Sequence, residues 1–220
     1  MKHGSNPDET TQASRRRQPP GRTGAHPEAD ASGSPADACG APLRLALIGY
    51  RGAGKTTVAR QLGLAIGLDW VDADVEIELR AGKSIAAIFA DDGEAAFRDL
   101  ESQVLTELLG PKNVVLAAGG GAVLREENRR VLAERARVVW LRAAVETILG
   151  RVAQDATTAG RRPNLTTAGG AAEVIELLRE REPLYRQCAE IEIDTEGKTP
   201  PAIAVEIIDR LQLSPQKAPT

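Results

Sequence analysis

Leu43-Arg44-Leu45-Ala46-Leu47-Ile48-Gly49-Tyr50-Arg51-Gly52-Ala53-Gly54-Lys55-Thr56-Thr57 is the stretch on which the fold assignment turns. Its first six residues are a short, largely apolar run ending at glycine, the pattern of a strand buried on both faces of a parallel sheet. Residues 49–56 fit G-x-x-x-x-G-K-[ST], and a helical pattern follows over 54–66. Strand, glycine loop and helix in that order are the context that makes this motif a phosphate loop. Its glycines let the backbone curl until successive N–H groups converge on phosphate oxygens, and the helix start adds its dipole. Gly52, Ala53, Gly54, Lys55, Thr56 and Thr57 are therefore the expected cradle, with Lys55 reaching the β- and γ-phosphates and the Thr56 hydroxyl on Mg²⁺. The bland alternative is a chance glycine-rich turn, which does not explain the flanking strand and helix.

Outward from the loop, strands are expected at 68–71, 114–116, 138–141 and 191–193. Helices are expected at 75–81, 84–90, 94–109, 126–134, 145–153, 171–187 and 201–211. In the 94–109 helix Phe97, Leu100, Val104 and Leu108 share one face. Strands alternating with helices predict a three-layer α/β domain. It would have a mainly parallel sheet of about five strands, helices on both faces, and a mobile lid over about 154–170, where a long polar loop holds Arg161-Arg162-Pro163. The domain is expected to span 41–213. Residues 1–40, rich in Pro, Gly, Ser and charge, and residues 214–220 read as disordered ends.

Composition removes several chemistries. Net charge is −3 in 220 residues, so no basic footprint marks a nucleic-acid or membrane partner. No apolar run approaches the roughly 20 residues of a membrane helix, and the start lacks a secretory h-region, so a cytoplasmic address is the expectation; nothing in the sequence marks an exposed apolar interface, so a monomer is expected. Both histidines, His3 and His26, lie in the tail, which takes histidine-based triads and zinc sites away from the body. Cys39 and Cys188 do not make a disulfide framework.

Asp72-Ala73-Asp74 follows the second strand, at the sheet end where ligands sit in open α/β folds. Two carboxylates one residue apart on a strand would point opposite ways, one toward Mg²⁺ and one toward an acceptor. Equally, Asp74 could simply cap the next helix. Arg98 and Glu101 are three apart on a helix, and from spacing alone they read as an ordinary exposed ion pair. Arg181 beside Pro183 reads as a cation near a helix break. Gly119-Gly120-Gly121 reads either as a turn or as a place of close approach to the backbone.

Taken together and in order, these motifs resemble the shikimate kinase family: the phosphate loop, Asp72-Ala73-Asp74, Phe97-Arg98-Asp99-Leu100-Glu101, Gly119-Gly120-Gly121, Arg161-Arg162-Pro163 and Arg181-Glu182-Pro183-Leu184-Tyr185. The resemblance covers residues 43–212. It implies transfer of the γ-phosphate of MgATP to the 3-hydroxyl of shikimate, on the route to chorismate. By the same resemblance Asp74 would bind the reacting hydroxyl, and Arg98 and Arg181 would clamp the shikimate carboxylate. Gly119, Gly120 and Gly121 would shape the pocket, and Glu101 would orient Arg98. Asp72 would join Thr56 at Mg²⁺, and Arg162 would swing onto the phosphates, so that Lys55, Asp74 and Arg162 form the catalytic set. Lys198 stands where some relatives place an arginine beside adenine.

Other kinases for hydroxylated acids or nucleotides share the loop but do not need Asp74, Arg98 and Arg181 together. A GTPase lacks its Asn-Lys-x-Asp motif here. A catalytically silent ligand sensor would be expected to have lost Lys55, Thr56 or Asp74.

Overall fold

A computed structural model describes residues 41–154 and 170–214. The expectations for the tail, the lid, the C-terminal end and Arg161-Arg162-Pro163 lie outside the described residues.

Among the described residues five strands form one sheet, β1 (Arg44–Ile48), β2 (Trp70–Asp72), β3 (Val114–Ala117), β4 (Arg137–Arg142) and β5 (Ile191–Asp194), in the order β2-β3-β1-β4-β5. Every pairing is parallel. Among the described residues the helices are α1 (Lys55–Ile66), α2 (Ala73–Ala81), α3 (Ile85–Asp91), α4 (Gly93–Leu108), α5 (Glu126–Arg135), α6 (Val145–Gln154), α7 (Gly170–Cys188) and α8 (Pro200–Leu211).

The three layers follow from strand alternation. Leu45 and Leu47 of β1 point to one face and pack with Val58, Leu62 and Ile66 of α1 and Ile203 and Ile207 of α8. Ala46 and Ile48 point to the other, against Leu105 of α4, Leu132 of α5 and Tyr185 of α7. Each such leucine or isoleucine, fully buried, contributes about 1.5–3 kcal/mol. A satellite cluster of Ile77, Ile85, Ile88, Phe97 and Val104 joins α2, α3 and α4.

Helix ends obey local chemistry. Gly67 closes α1 at φ 72°, Ser84 Oγ caps α3 by accepting from Ala87 N–H, and Thr199 caps α8 ahead of Pro200. Pro183 does not break α7, which runs through it to Cys188. Losing one N–H there costs a helical bond. The fully buried Tyr185, stacked on Trp140 with centroids 5.8 Å apart, holds the next turn in place. Burial pushes the half-buried Cys188 thiol above its ordinary range. No helix among the described residues is long and apolar enough to cross a membrane.

The parallel sheet brings three loops to its C-terminal edge: the phosphate loop after β1, Asp72 ending β2, and the glycines after β3. In open α/β sheets that edge binds ligands.

Candidate functional site

A cleft of about 340 Å³ opens at that edge, lined by Arg51, Gly52, Gly54, Lys55, Thr56, Thr57, Asp72, Asp74, Ile85, Ala118, Gly120, Arg151 and Val152. Its floor is backbone. Gly49, Gly52 and Gly54 take φ of 139°, 79° and 94°, a region where a side chain is strained. A Cβ at Gly49 would also strike the Leu141 carbonyl of β4, and one at Gly52 would stand 3.2 Å from Ile148 O of α6. The curl is thus clamped between the sheet and α6. Tyr50 anchors it by burying its ring among Ile148, Val174 and Leu177.

α1 begins at Lys55 behind Gly54, with no side-chain cap and no acidic residue in its first turn. Its first N–H groups are left for a ligand, as an anion site requires. Lys55 Nζ folds back to donate to Gly49 O at 2.9 Å and Tyr50 O at 3.0 Å. Phosphate oxygens could replace both carbonyls.

The aspartates differ from the sequence expectation. Asp72 alone ends the strand, and Asp74 lies in the first turn of α2, so they are not two faces of one strand. Asp72 is also the helix cap, its Oδ1 accepting from Asp74 N–H at 2.9 Å. Its other oxygen, Oδ2, accepts from the Thr56 hydroxyl. Capping by Asp72 leaves the Asp74 carboxylate free of that task and on the cleft wall.

Two buried guanidinium groups meet the glycine turn that reaches the cleft. Arg98 of α4 is 6% exposed. It donates from Nη1 to Glu101 Oε2 at 2.7 Å and from Nη2 and Nε to Glu94 Oε1 at 3.1 and 3.2 Å. The spacing-only alternative of an exposed pair is excluded: Glu101 is 2% exposed, and a carboxylate buried there is placed to orient the guanidinium, as the resemblance implied. Arg181 of α7 is 5% exposed and donates from Nη1 to Gly120 O at 3.3 Å. Its Nε has no acceptor, and no carboxylate pairs with it among the described side chains.

The three glycines are buried and join both arginines to the cleft. Gly120 O also accepts from the Tyr185 hydroxyl at 2.5 Å, one helical turn beyond Arg181. A Cβ at Gly121 would lie within 2.8 Å of Arg98 Nη2. Gly121 therefore makes room for an arginine of the protein, which the sequence reading did not foresee. Gly119 O turns the chain by accepting from Ala122 N–H at 3.1 Å.

The structure brings together Gly52, Gly54, Lys55, Thr56, Thr57, Asp72, Asp74 and Gly120 around one cleft, with Arg98 and Arg181 joined to it through the turn of Gly119, Gly120 and Gly121. Ala53 is buried within the loop, and Arg162 is outside the described residues. Arg151 was missed. It lies on α6 and donates to Gly52 O at 3.3 Å and Thr195 Oγ1 at 3.4 Å. A contact between residue 151 and the loop at 52 leaves no local pattern in the chain. Lys198 is occupied by Glu206 at 2.6 Å.

Comparison with known proteins agrees with this geometry. The family model described as shikimate kinase matches residues 51–212. The shikimate kinase of Pseudomonas putida is 43% identical over 173 residues, covering 79% of this chain and 98% of that one. The Rhodopirellula baltica shikimate kinase is 45% identical over 167 residues, covering 76% and 89%. Among solved structures, the Acinetobacter baumannii shikimate kinase in complex with shikimate superposes with a TM-score of 0.73 at 37% identity, over 79% of this chain and 94% of that one. A phosphate loop facing a buried arginine pair across a glycine turn, matched by close relatives along nearly their whole length, shows that this chain belongs to the shikimate kinase family, the ATP-dependent kinases of shikimate.

Proposed function

We propose that this chain moves the γ-phosphoryl group of MgATP to the 3-hydroxyl of shikimate by the following division of labour. The observation that carries it is Arg181, a buried cation with no carboxylate partner among the described side chains, standing at Gly120 with Arg98 at the adjacent Gly121. An uncompensated buried charge is costly, by several kcal/mol or about that order, and an anionic ligand offsets it. The planar forks of two arginines suit a carboxylate, and Asp74 on the cleft wall suits a hydroxyl of the same small molecule.

Asp74 accepts a hydrogen bond from the reacting hydroxyl and takes its proton as the new O–P bond forms and the bond to the β,γ-bridging oxygen breaks, releasing ADP. Lys55 leaves its loop carbonyls for the β- and γ-phosphates, and the N–H groups of the loop and α1 hold the rest. Thr56 Oγ1 and Asp72 Oδ2 are adjacent hard oxygen donors, a set that suits Mg²⁺ when phosphates and water complete its shell. Bound there, Mg²⁺ would neutralise charge on the β- and γ-phosphates. Arg162 is assigned from the sequence to the lid, where it would meet the phosphates and help exclude water. A cytoplasmic monomer without nucleic-acid or membrane partners completes the proposal.

The test is ADP release with MgATP and shikimate, against quinate, gluconate, AMP and no acceptor, with Lys55→Ala alongside. Shikimate-dependent turnover lost in Lys55→Ala is the expected result. Preference for another acceptor would overturn the clamp assigned to Arg98 and Arg181.

A further inference from the structure

Among the described residues lining the cleft, the cationic side chains are Arg51, Lys55 and Arg151. Lys55 is tied to Gly49 O and Tyr50 O, and Arg151 to Gly52 O and Thr195 Oγ1. The Arg51 guanidinium has no such tether: its Nε is sealed from solvent and finds no acceptor among the described residues. A buried donor left unsatisfied is uncommon in a native protein and calls for an explanation.

Placement supplies one. Arg51 belongs to the phosphate loop, two residues after Gly49. Its backbone lies against the glycine turn, since a Cβ at Gly120 would stand 3.3 Å from Arg51 N. The buried ring of Tyr50 has the Arg51 guanidinium 6.0 Å from its centroid and that of Arg181 at 5.7 Å. Arg51 therefore stands on the border between the phosphate cradle and the arginines behind Gly120, where a group crossing from nucleotide to acceptor must pass.

We propose that Arg51 is a further catalytic residue, whose guanidinium donates to the oxygens of the phosphoryl group in transit. The proposal rests on the kinase reading above. In phosphoryl transfer, charge spreads over the three equatorial oxygens, and a planar donor of positive charge aimed at them stabilises that state more than the bound substrates. A guanidinium that lacks an acceptor before the reaction, and gains one during it, contributes in this differential way.

The experiment compares wild type, Arg51→Met and Arg51→Lys in two readouts. One is calorimetric affinity for MgADP and for MgADP with aluminium fluoride, a mimic of the transferring group. The other is steady-state turnover with shikimate. For Arg51→Met, MgADP affinity should stay within about twofold, the extra affinity from aluminium fluoride should fall about tenfold or more, and kcat should fall about 100-fold with little change in either KM. Arg51→Lys, which keeps the charge without the fork, should fall between.

Unchanged kcat and unchanged fluoride affinity would overturn the proposal. So would a rise confined to the shikimate KM, which would make Arg51 an acceptor-binding residue, or equal weakening of both MgADP states, which would make it a loop-shaping one. If Arg51→Met does not melt cooperatively, Arg51→Gln decides by the same measurements. Should wild type not turn over shikimate, the acceptor assignment fails, while the fluoride comparison still decides Arg51.

Discussion

In the phosphate half of the cleft the binding groups are main-chain amides from residues contiguous in sequence, curled at Gly49, Gly52 and Gly54 and left uncapped where α1 begins. In the half proposed for the acceptor they are side chains, Asp74 of α2 on the cleft and Arg98 of α4 and Arg181 of α7 at the buried turn of Gly119, Gly120 and Gly121, where Glu101 and Tyr185 brace them. The first half binds a group common to every nucleotide, for which backbone donors suffice. On the proposed reading the second selects one small acid, which takes forks of charge held in place, and burying charge requires a supporting network. Glu101 behind Arg98 and Tyr185 behind Gly120 are that support.

The comparison can be broken by damaging one half and reading the other. The largest effect is expected from Glu101→Ala, which leaves Arg98 with only the more exposed Glu94. Breaking so buried a pair should cost about 3 kcal/mol in denaturant unfolding. The shikimate KM should rise while MgADP affinity holds. If MgADP affinity falls as far, the halves are not separable. Next is Gly49→Ala, which forces a Cβ toward the Leu141 carbonyl at a φ of 139°. It should destabilise by about 1–3 kcal/mol and weaken ATP, not shikimate, in binding measurements.

Tyr185→Phe removes the hydroxyl that donates to Gly120 O. A loss of about 1 kcal/mol is expected, with a modest rise in the shikimate KM and none for ATP. Smallest should be Lys198→Ala. Its ammonium pairs with Glu206 near the surface, so stability should change by less than about 1 kcal/mol and the ATP KM should not move. A raised ATP KM in Lys198→Ala would sharpen the comparison by adding Lys198 to the nucleotide half.

Legibility in the sequence follows the same division. The phosphate loop and the parallel α/β architecture could be read locally, because glycine and alternation signals act over a few residues. The boundary after β2 could not. Asp72 ends a three-residue strand because its neighbour β3 stops pairing there, and Asp74 consequently falls on a helix. The helix over 171–187 was legible despite Pro183, and burial of Tyr185 against Trp140 is what carries it past that local breaker.

By itself the chain determined the fold class, the phosphate cradle and, through the order of its motifs, the family, since each of these is written in short contiguous patterns. Tertiary structure decided that Arg98 and Glu101 are a buried pair, that Gly121 makes room for Arg98, and that Arg151 reaches the loop at Gly52. It also placed Arg51 without an acceptor beside Gly120. Burial and the partners of a charge depend on what other elements bring from tens of residues away, and no spacing along one helix or loop records that.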